Sequence, residues 1–398
     1  MDSVNLALQL LLKRSNLAAT VDYYYPHISS GTKIGNGQNP GSTVKPKFEP
    51  AYPHLTAIEQ SSVILYWGDF LHMAQYQRTL ARRLLQDGLV RNDDEATEYI
   101  HEIMFLSRAS DSTLKKSLSF GGTVIFNNLD DELTGKYATE FSRFIDRTGK
   151  IWSRDVFSYM KLSRHASNPQ VRLGVDCALL IQRADVESLC VADNSVVKTA
   201  VDGKIGVFFG RSSGTGFKLM HFASMLARQR GQDMYWLPWG DRQGFPAHRT
   251  WLMPRPMALD QMQGCSHLTE TGTMLSALMH SDLIITDTYH VAVNAWNLGT
   301  PAVCIGDIAP FVTRNVNSGA AFSWRDKRHT FYSMYEALDF FVHMQELKSW
   351  VWSRKHIRHI HRKLDDSSVK NEITDRLHRH RDRLEAELLM ELSDRLSG

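Results

Sequence analysis

Cysteine is scarce. The four present, Cys177, Cys190, Cys265 and Cys304, form no Cys-x-x-Cys pair and match no zinc-ligand spacing. That excludes a disulfide-stapled module and a zinc ribbon, and makes Cys177 and Cys304, both in apolar runs, expected reduced core thiols. No uncharged apolar stretch reaches the ~18–20 residues that span a bilayer, so no transmembrane segment is expected. Met1-Asp2-Ser3 lacks the basic n-region of a signal peptide, and a cytoplasmic location is expected with it. There is no Gly-Lys-Ser/Thr phosphate loop and no Asp-x-Asp, only adjacent acid pairs such as Asp130-Asp131 and Asp365-Asp366. No metal and no cofactor are therefore expected. A surplus of one charge sign is missing too: 46 Lys and Arg against 43 Asp and Glu leave +3, too little to imply nucleic acid on its own.

What is present is globular. Hydrophobic residues make up 43% and charged residues 22% of 398, enough chain for about two domains with a sizeable core and no staple. Residues 4–16 show helical periodicity. Residues 26–53, rich in Gly, Pro, Ser and Asn, form a long loop. Strand-like runs at 62–67, 123–127, 151–153 and 174–181 alternate with helical patterns at 71–86, 95–107, 138–145 and 155–162. After a composition change at 184–202, the alternation resumes. Strands are expected at 204–209, 233–237, 283–286 and 302–305, and helices at 217–230, 274–280 and 291–298. Residues 332–348 and 367–393 are expected as C-terminal helices. Such alternation predicts parallel sheets with helical crossovers. The expected architecture is α/β, with two doubly wound, Rossmann-like domains and C-terminal helices. The expected divisions are an acceptor-side domain over 1–183, a linker over 184–202, a donor-side domain over 203–330 and a helical segment over 331–398. Ligands of such sheets lie beyond the carboxyl ends of strands, which places the expected active site in a cleft between the domains.

The segment with the most chemistry is 281–307. Its strand ends at Thr286-Asp287, and the turn Asp287-Thr288-Tyr289-His290 opens a helix closed by Gly299. A helix N-terminus with free N–H groups and a partial positive charge suits a phosphate. His290 in the first turn would hold that phosphate or protonate it as it leaves. Asp287, alternatively, would cap the helix. Upstream, Arg211-Ser212-Ser213-Gly214-Thr215-Gly216 is a polar Gly-rich loop after a strand, with Lys218 in the next helix. Its backbone would approach phosphate oxygens, and Arg211 would grip an anion with two hydrogen bonds. Asp69, after the 62–67 strand, would be a general base for an acceptor hydroxyl or a helix cap, with His72 one turn on. Arg154 and Asp155 start the 155–162 helix. Trp236, Trp239 and Trp251, with Tyr235 and Arg242, would stack on an acceptor or fill core.

These motifs in this order resemble the polysaccharide pyruvyl transferase family over roughly residues 60–310. The resemblance rests on Thr286-Asp287 and His290 before Leu298-Gly299-Thr300-Pro301-Ala302-Val303. It rests also on Ser153-Arg154-Asp155-Val156-Phe157-Ser158 with Gly174-Val175-Asp176-Cys177-Ala178, and on Val207-Phe208-Phe209-Gly210-Arg211. It implies a fold like the two-domain GT-B glycosyltransferases. It also implies transfer of pyruvate from phosphoenolpyruvate to a sugar hydroxyl as a ketal. His290 and Asp69 would then be catalytic, Arg211, Ser212, Ser213, Gly214, Lys218, Asp287, Thr288 and Tyr289 would bind the donor, and His72, Arg154 and Trp239 the acceptor. The family's Asp-Arg-x-His-Gly turn is here Asp287-Thr288-Tyr289-His290-Val291, without its arginine and glycine. Its N-terminal Gly-Asn-x-Gly-Asp loop has only Gly35-Asn36-Gly37-Gln38-Asn39 to answer it. Two other readings stay open: a glycosyltransferase using a nucleotide-sugar, with a glycan or a modified nucleic-acid base as acceptor, and a non-catalytic glycan- or nucleic-acid-binding protein on the same scaffold. The nucleic-acid option rests on the basic run 354–363, where Arg354, Arg358 and Arg362 share a helix face; the competing reading is a solvated surface.

Overall fold

A computed structural model describes residues 2–17, 19–26, 48–68, 71–125, 135–167, 170–189, 194–211, 216–239, 257–259, 262, 271–306, 326–348 and 350–397. They divide into two compact units. The upstream unit takes Leu12–Cys177 with Leu384–Gly398, and the downstream unit takes Met1–Leu11 with Ala178–Arg383.

In the upstream unit β1 (Tyr23–Tyr25) pairs in parallel with β2 (Phe48–Pro50) as a separate ribbon. The main sheet holds β3 (Ile64–Trp67), β4 (Ser117–Gly122), β5 (Lys150–Ser153) and β6 (Val171–Leu173), all parallel and in chain order. Helices α2 (Leu55–Gln60), α3 (Ala74–Gln86), α4 (Asp93–Phe105), α5 (Asp111–Lys115), α6 (Gly135–Arg147) and α7 (Val156–His165) accompany it; α1 (Asp2–Ser15) is shared between the units. Their sequences explain their placement. Helix α6 buries Ala138, Phe141, Phe144 and Ile145, one stripe at helical spacing. Asn92 caps α4 by accepting from Glu95 N–H, while Glu95 Oε2 accepts from Arg91 N–H.

The downstream sheet has six parallel strands in the order β9-β8-β7-β10-β11-β12. They are β7 (Ile205–Phe208), β8 (Met234–Trp236), β9 (Met257–Ala258), β10 (Leu283–Thr286), β11 (Ala302–Gly306) and β12 (Phe341–His343). The chain works outward from β7 to β9, then returns to β7's other side and works outward again. The reversal between β7 and β10 is the switch point of a doubly wound sheet. The helices are α8 (Arg183–Leu189), α9 (Asn194–Val201), α10 (Gly216–Arg230), α11 (Thr271–His280), α12 (Tyr289–Asn297), α13 (Lys327–Met334), α14 (Trp350–Asp365) and α15 (Ser367–Ser397), the last shared with the upstream unit. The chain is thus α/β, with two Rossmann-like parallel sheets and C-terminal helices, as expected from the sequence. Among the described residues, no helix is long and apolar enough to cross a membrane. Cys177 and Cys304 are buried free thiols.

Several elements differ from their sequence expectations. Residues 184–202 hold the two helices α8 and α9, with Val186, Val197 and Val201 fully buried; the units part instead at Cys177/Ala178. The strand expected at 123–127 lies earlier, because Gly121-Gly122 ends β4 rather than introducing it. Gly121 has φ +72°, and a Cβ there would strike Cys177 Sγ. At 174–181 the strand is only Val171–Leu173, followed by a 3₁₀ turn over Cys177–Leu180. The helix expected at 332–348 is replaced by the end of α13 and the buried edge strand β12; a short apolar run does not distinguish the two by periodicity.

His72 has left the surface for the upstream core. Its ring lies 4.4 Å from Phe144, 5.0 Å from Tyr66 and 5.9 Å from Phe105. Burial pushes its pKa down to about 3, against a smaller upward push from the Met104 backbone. Burial, followed by Lys136, lowers His101 to about 4. Both stay neutral when folded and become protonated near pH 6.5 when unfolded. Their contribution is complete above that pH and is lost progressively as pH falls from 6.5 toward the folded values. Lowering the pH from 7 to 5 should reduce the upstream unit's opening free energy, read by amide hydrogen exchange, by about 2 kcal/mol per buried histidine. His72→Phe should remove about half of that slope, leaving the share of His101.

Candidate functional site at the switch point

Strands β7 and β10 end side by side, with Phe208 paired to Thr286. The Thr286 hydroxyl donates to Phe208 O at 2.7 Å and accepts from Thr288 N–H at 3.0 Å. Between these threonines, Asp287 turns inward and is fully buried. Its Oδ1 accepts from Gly210 N–H at 2.7 Å and its Oδ2 from Arg211 N–H at 3.0 Å. The Thr288 hydroxyl donates a third bond to Oδ1 at 3.0 Å. One carboxylate therefore fastens the loop after β7 to the turn after β10. Gly210 permits this closeness: a Cβ there would lie 2.8 Å from the Phe208 ring and 3.2 Å from Thr288 Oγ1.

From that turn α12 begins. Thr288 is its N-cap residue, but its side chain makes no cap hydrogen bond to the helix, since the hydroxyl is committed to Asp287. Tyr289 is buried and His290 half-buried in the first turn, with ring centroids 5.1 Å apart. The rest of the helix is enclosed in the core and ends in a Schellman motif. Gly299, at φ +87°, donates N–H to Trp296 O, and Thr300 donates to Ala295 O. Asn294 Nδ2 donates to His290 O at 2.7 Å, reinforcing the first turn.

The structure brings Arg211, Asp287, Thr288, Tyr289 and His290 together. Arg211 is exposed beyond Gly210, and Lys218 is exposed in the first turn of α10. Ser212, Ser213, Gly214, Asp69, Arg242 and Trp251 lie outside the described residues. Asp287 neither caps α12 nor presents its carboxylate outward, since three donors occupy it. Trp239 is half-buried just past the end of β8. Two residues expected on the acceptor side belong to the upstream interior. His72 occupies the aromatic box. Arg154, 4% exposed, faces the equally buried Asp176 at 3.3 Å. Asp155 caps α7 through Ser158 N–H and also accepts from Thr123 Oγ1 at 2.6 Å. That upstream motif therefore builds fold.

Sequence reasoning missed Arg328. Its Nη1 donates to Asp287 O at 2.7 Å and to Ile305 O at 3.1 Å, and its remaining nitrogens bracket the Asp326 carboxylate at 2.6–3.1 Å. Burial works to lower its pKa, and Asp326 more than offsets this, so the value is raised. The available signal was Asp326 two residues before Arg328 at the start of a helix, where Asp326 caps α13 through Arg328 N–H. Beside it, Lys327 Nζ stands 4.7 Å from the Tyr289 ring centre.

The basic run falls on α14. His356 pairs with Glu346 at 3.1 Å, His359 and Lys363 with Asp339 at 2.8 Å each, and His361 with Asp365 at 3.4 Å. Arg354, Arg358 and Arg362 are exposed. Acids thus face the run's histidines and Lys363, while its three arginines lie toward solvent.

No family model matches the sequence, and no curated protein matches it. Solved structures do resemble the chain at a distance. A Staphylococcus aureus MnaA structure with UDP has a TM-score of 0.40 and 9% identity, covering 83% of this chain and 78% of that one. A Listeria monocytogenes structure named as a UDP-N-acetylglucosamine 2-epimerase has a TM-score of 0.38 and 11% identity, covering 90% and 88%. No chemistry follows from likenesses of this size.

Two outcomes follow from the site. Asp287→Asn replaces an acceptor with a donor opposite a backbone N–H, and should destabilise the downstream unit by about 3 kcal/mol in denaturant titrations. Duplex DNA should show no gel shift with the chain at physiological salt, and Arg354, Arg358 and Arg362 changed together to Gln should behave identically. A shift weakening steeply with salt in wild type alone would restore the nucleic-acid reading.

Proposed function

We propose that the chain is a transferase that holds a phosphorylated donor at the switch point of its downstream sheet and passes a group from it to a sugar hydroxyl. The observation that carries this reading is the locked Asp287 turn, which sets the start of α12 beside Arg211 with His290 in its first turn. First-turn amides and the helix dipole favour a phosphate there. Exposed Arg211 and Lys218 supply positive charge, and the nearby carboxylates of Asp287 and Asp326 are already engaged.

The donor proposed is phosphoenolpyruvate, on the strength of the motif resemblance. Ketal formation from it balances with two acceptor hydroxyls. The first adds to C2 as C3 takes a proton, and the second displaces phosphate at C2 with loss of its own proton. His290 holds or protonates the departing phosphate, Arg211 grips the donor anion, and Asp69 is the proposed base. A nucleotide-sugar would place its diphosphate on the same backbone.

Phosphoenolpyruvate at 100 times its dissociation constant should add about 2.7 kcal/mol of stability in a thermal-shift assay. Stabilisation by nucleotide-sugars alone would replace pyruvyl transfer with glycosyl transfer. His290→Ala should lower turnover about 10²–10⁴-fold with the fold intact, and Arg211→Ala should weaken donor more than acceptor affinity, with little recovery in Arg211→Lys. Activity within twofold of wild type in His290→Ala would remove His290 from the chemistry.

A further inference from the structure

We infer that Arg328 is a positioning residue, which orients the start of α12 and through it His290. The inference deepens the reading of the switch-point site and rests on it for its functional meaning. Its physical basis is the peptide joining Asp287 to Thr288. The carbonyl of that peptide accepts from Arg328 Nη1 at 2.7 Å, and its N–H donates to Thr286 Oγ1 at 3.0 Å. Both hydrogen-bonding ends are thus held. A peptide plane gripped at both ends cannot rotate, and this one immediately precedes the first turn of α12. The same Nη1 also reaches Ile305 O in β11 at 3.1 Å. Arg328 thereby references the turn after β10 to the neighbouring strand.

The guanidinium is itself held. Asp326 receives Nε and Nη2 through both carboxylate oxygens, at 2.8, 3.1 and 2.6 Å. This planar, two-pronged geometry is one that lysine cannot reproduce. Gly306, at the end of β11, gives the pair its room, because a Cβ there would come within 2.8 Å of Asp326 Oδ2. A half-buried ion pair contributes little net stability after its desolvation cost. Its directional bonds, in contrast, fix where the α12 amides and the His290 ring point. Misplacing such groups by about 1 Å costs on the order of 10²-fold in rate.

The test uses the full chain labelled with ¹⁵N-histidine, with the His290 ring signal assigned by its loss in His290→Gln. In Arg328→Lys and Asp326→Asn, near-UV circular dichroism and a cooperative melt should persist. The His290 ring resonances should shift, while those of His359, on α14 against Asp339, stay in place. The phosphoenolpyruvate dissociation constant should rise about tenfold or the rate should fall about 10²-fold. Folded variants with wild-type His290 signals would overturn the inference, and so would failure of both variants to fold, which would assign the pair to stability alone. If wild type does not bind phosphoenolpyruvate, the donor assignment falls, while the His290 signals still decide the role of Arg328.

Discussion

One carboxylate organises the downstream unit's carboxyl edge. Asp287 sits at the reversal of strand order, where neighbouring crossovers run off in opposite directions and leave a gap beyond the strands. Left open, that gap would hold two loops with unpaired buried amides. Asp287 satisfies the amides of Gly210 and Arg211 from across the gap, and a charged acceptor makes these bonds stronger than neutral ones. The closeness of Gly210, the commitment of the Thr288 hydroxyl and the entry angle of α12 follow from it. Its main-chain oxygen, held by Arg328, extends the same fastening to β11.

The contrast between the two sheets separates architecture from the candidate site. The upstream strands add in one direction, β3 to β6, with no reversal among the described residues. Three of its described polar residues near the carboxyl ends are spent on architecture: Asp155 on a cap, Arg154 on Asp176, and His72 on an aromatic box. The downstream sheet has the reversal and, beside it, the exposed Arg211 on the loop that Asp287 fastens to the start of α12. Similar motif residues thus serve packing in one unit and a candidate site in the other, and strand order distinguishes the two.

Much of this was legible in the sequence, because buried parallel strands and amphipathic helices write strong periodicities. The strand 283–286, Gly299 as helix terminator and Asp155 at its cap were all read from local chemistry. The placement of Arg211, Asp287 and His290 on adjoining turns followed from the rule that sites lie beyond strand ends. What stayed hidden was non-local. Nothing in the local pattern says that Asp287 faces two amides 76 and 77 residues upstream, or that Arg328 reaches back to its carbonyl. His72 read as a site residue because a histidine near an aspartate suggests chemistry; only the packing of Phe105 and Phe144 around it reveals an interior position. Helices α8 and α9 were read as linker because the composition changes there and neither short segment shows a clear period, although Val186, Val197 and Val201 are completely enclosed.

The division of α15 between the units has a consequence for the order in which the molecule is made. Residues 384–397 belong to the upstream unit, where Glu385 bonds Arg14 at 2.7 Å, and Glu387 and Glu391 face Lys150 at 2.8 and 3.4 Å. During translation, residues 12–177 leave the ribosome long before these partners exist. Arg14 and Lys150 therefore have no Glu385, Glu387 or Glu391 to face until residues 178–383 of the downstream unit have been synthesised. Completion of the upstream unit is thereby coupled to arrival of α15, so a ribosome stalled before residue 384 carries a nascent chain in which the four strands of the upstream sheet are present and the acids that face Arg14 and Lys150 are not.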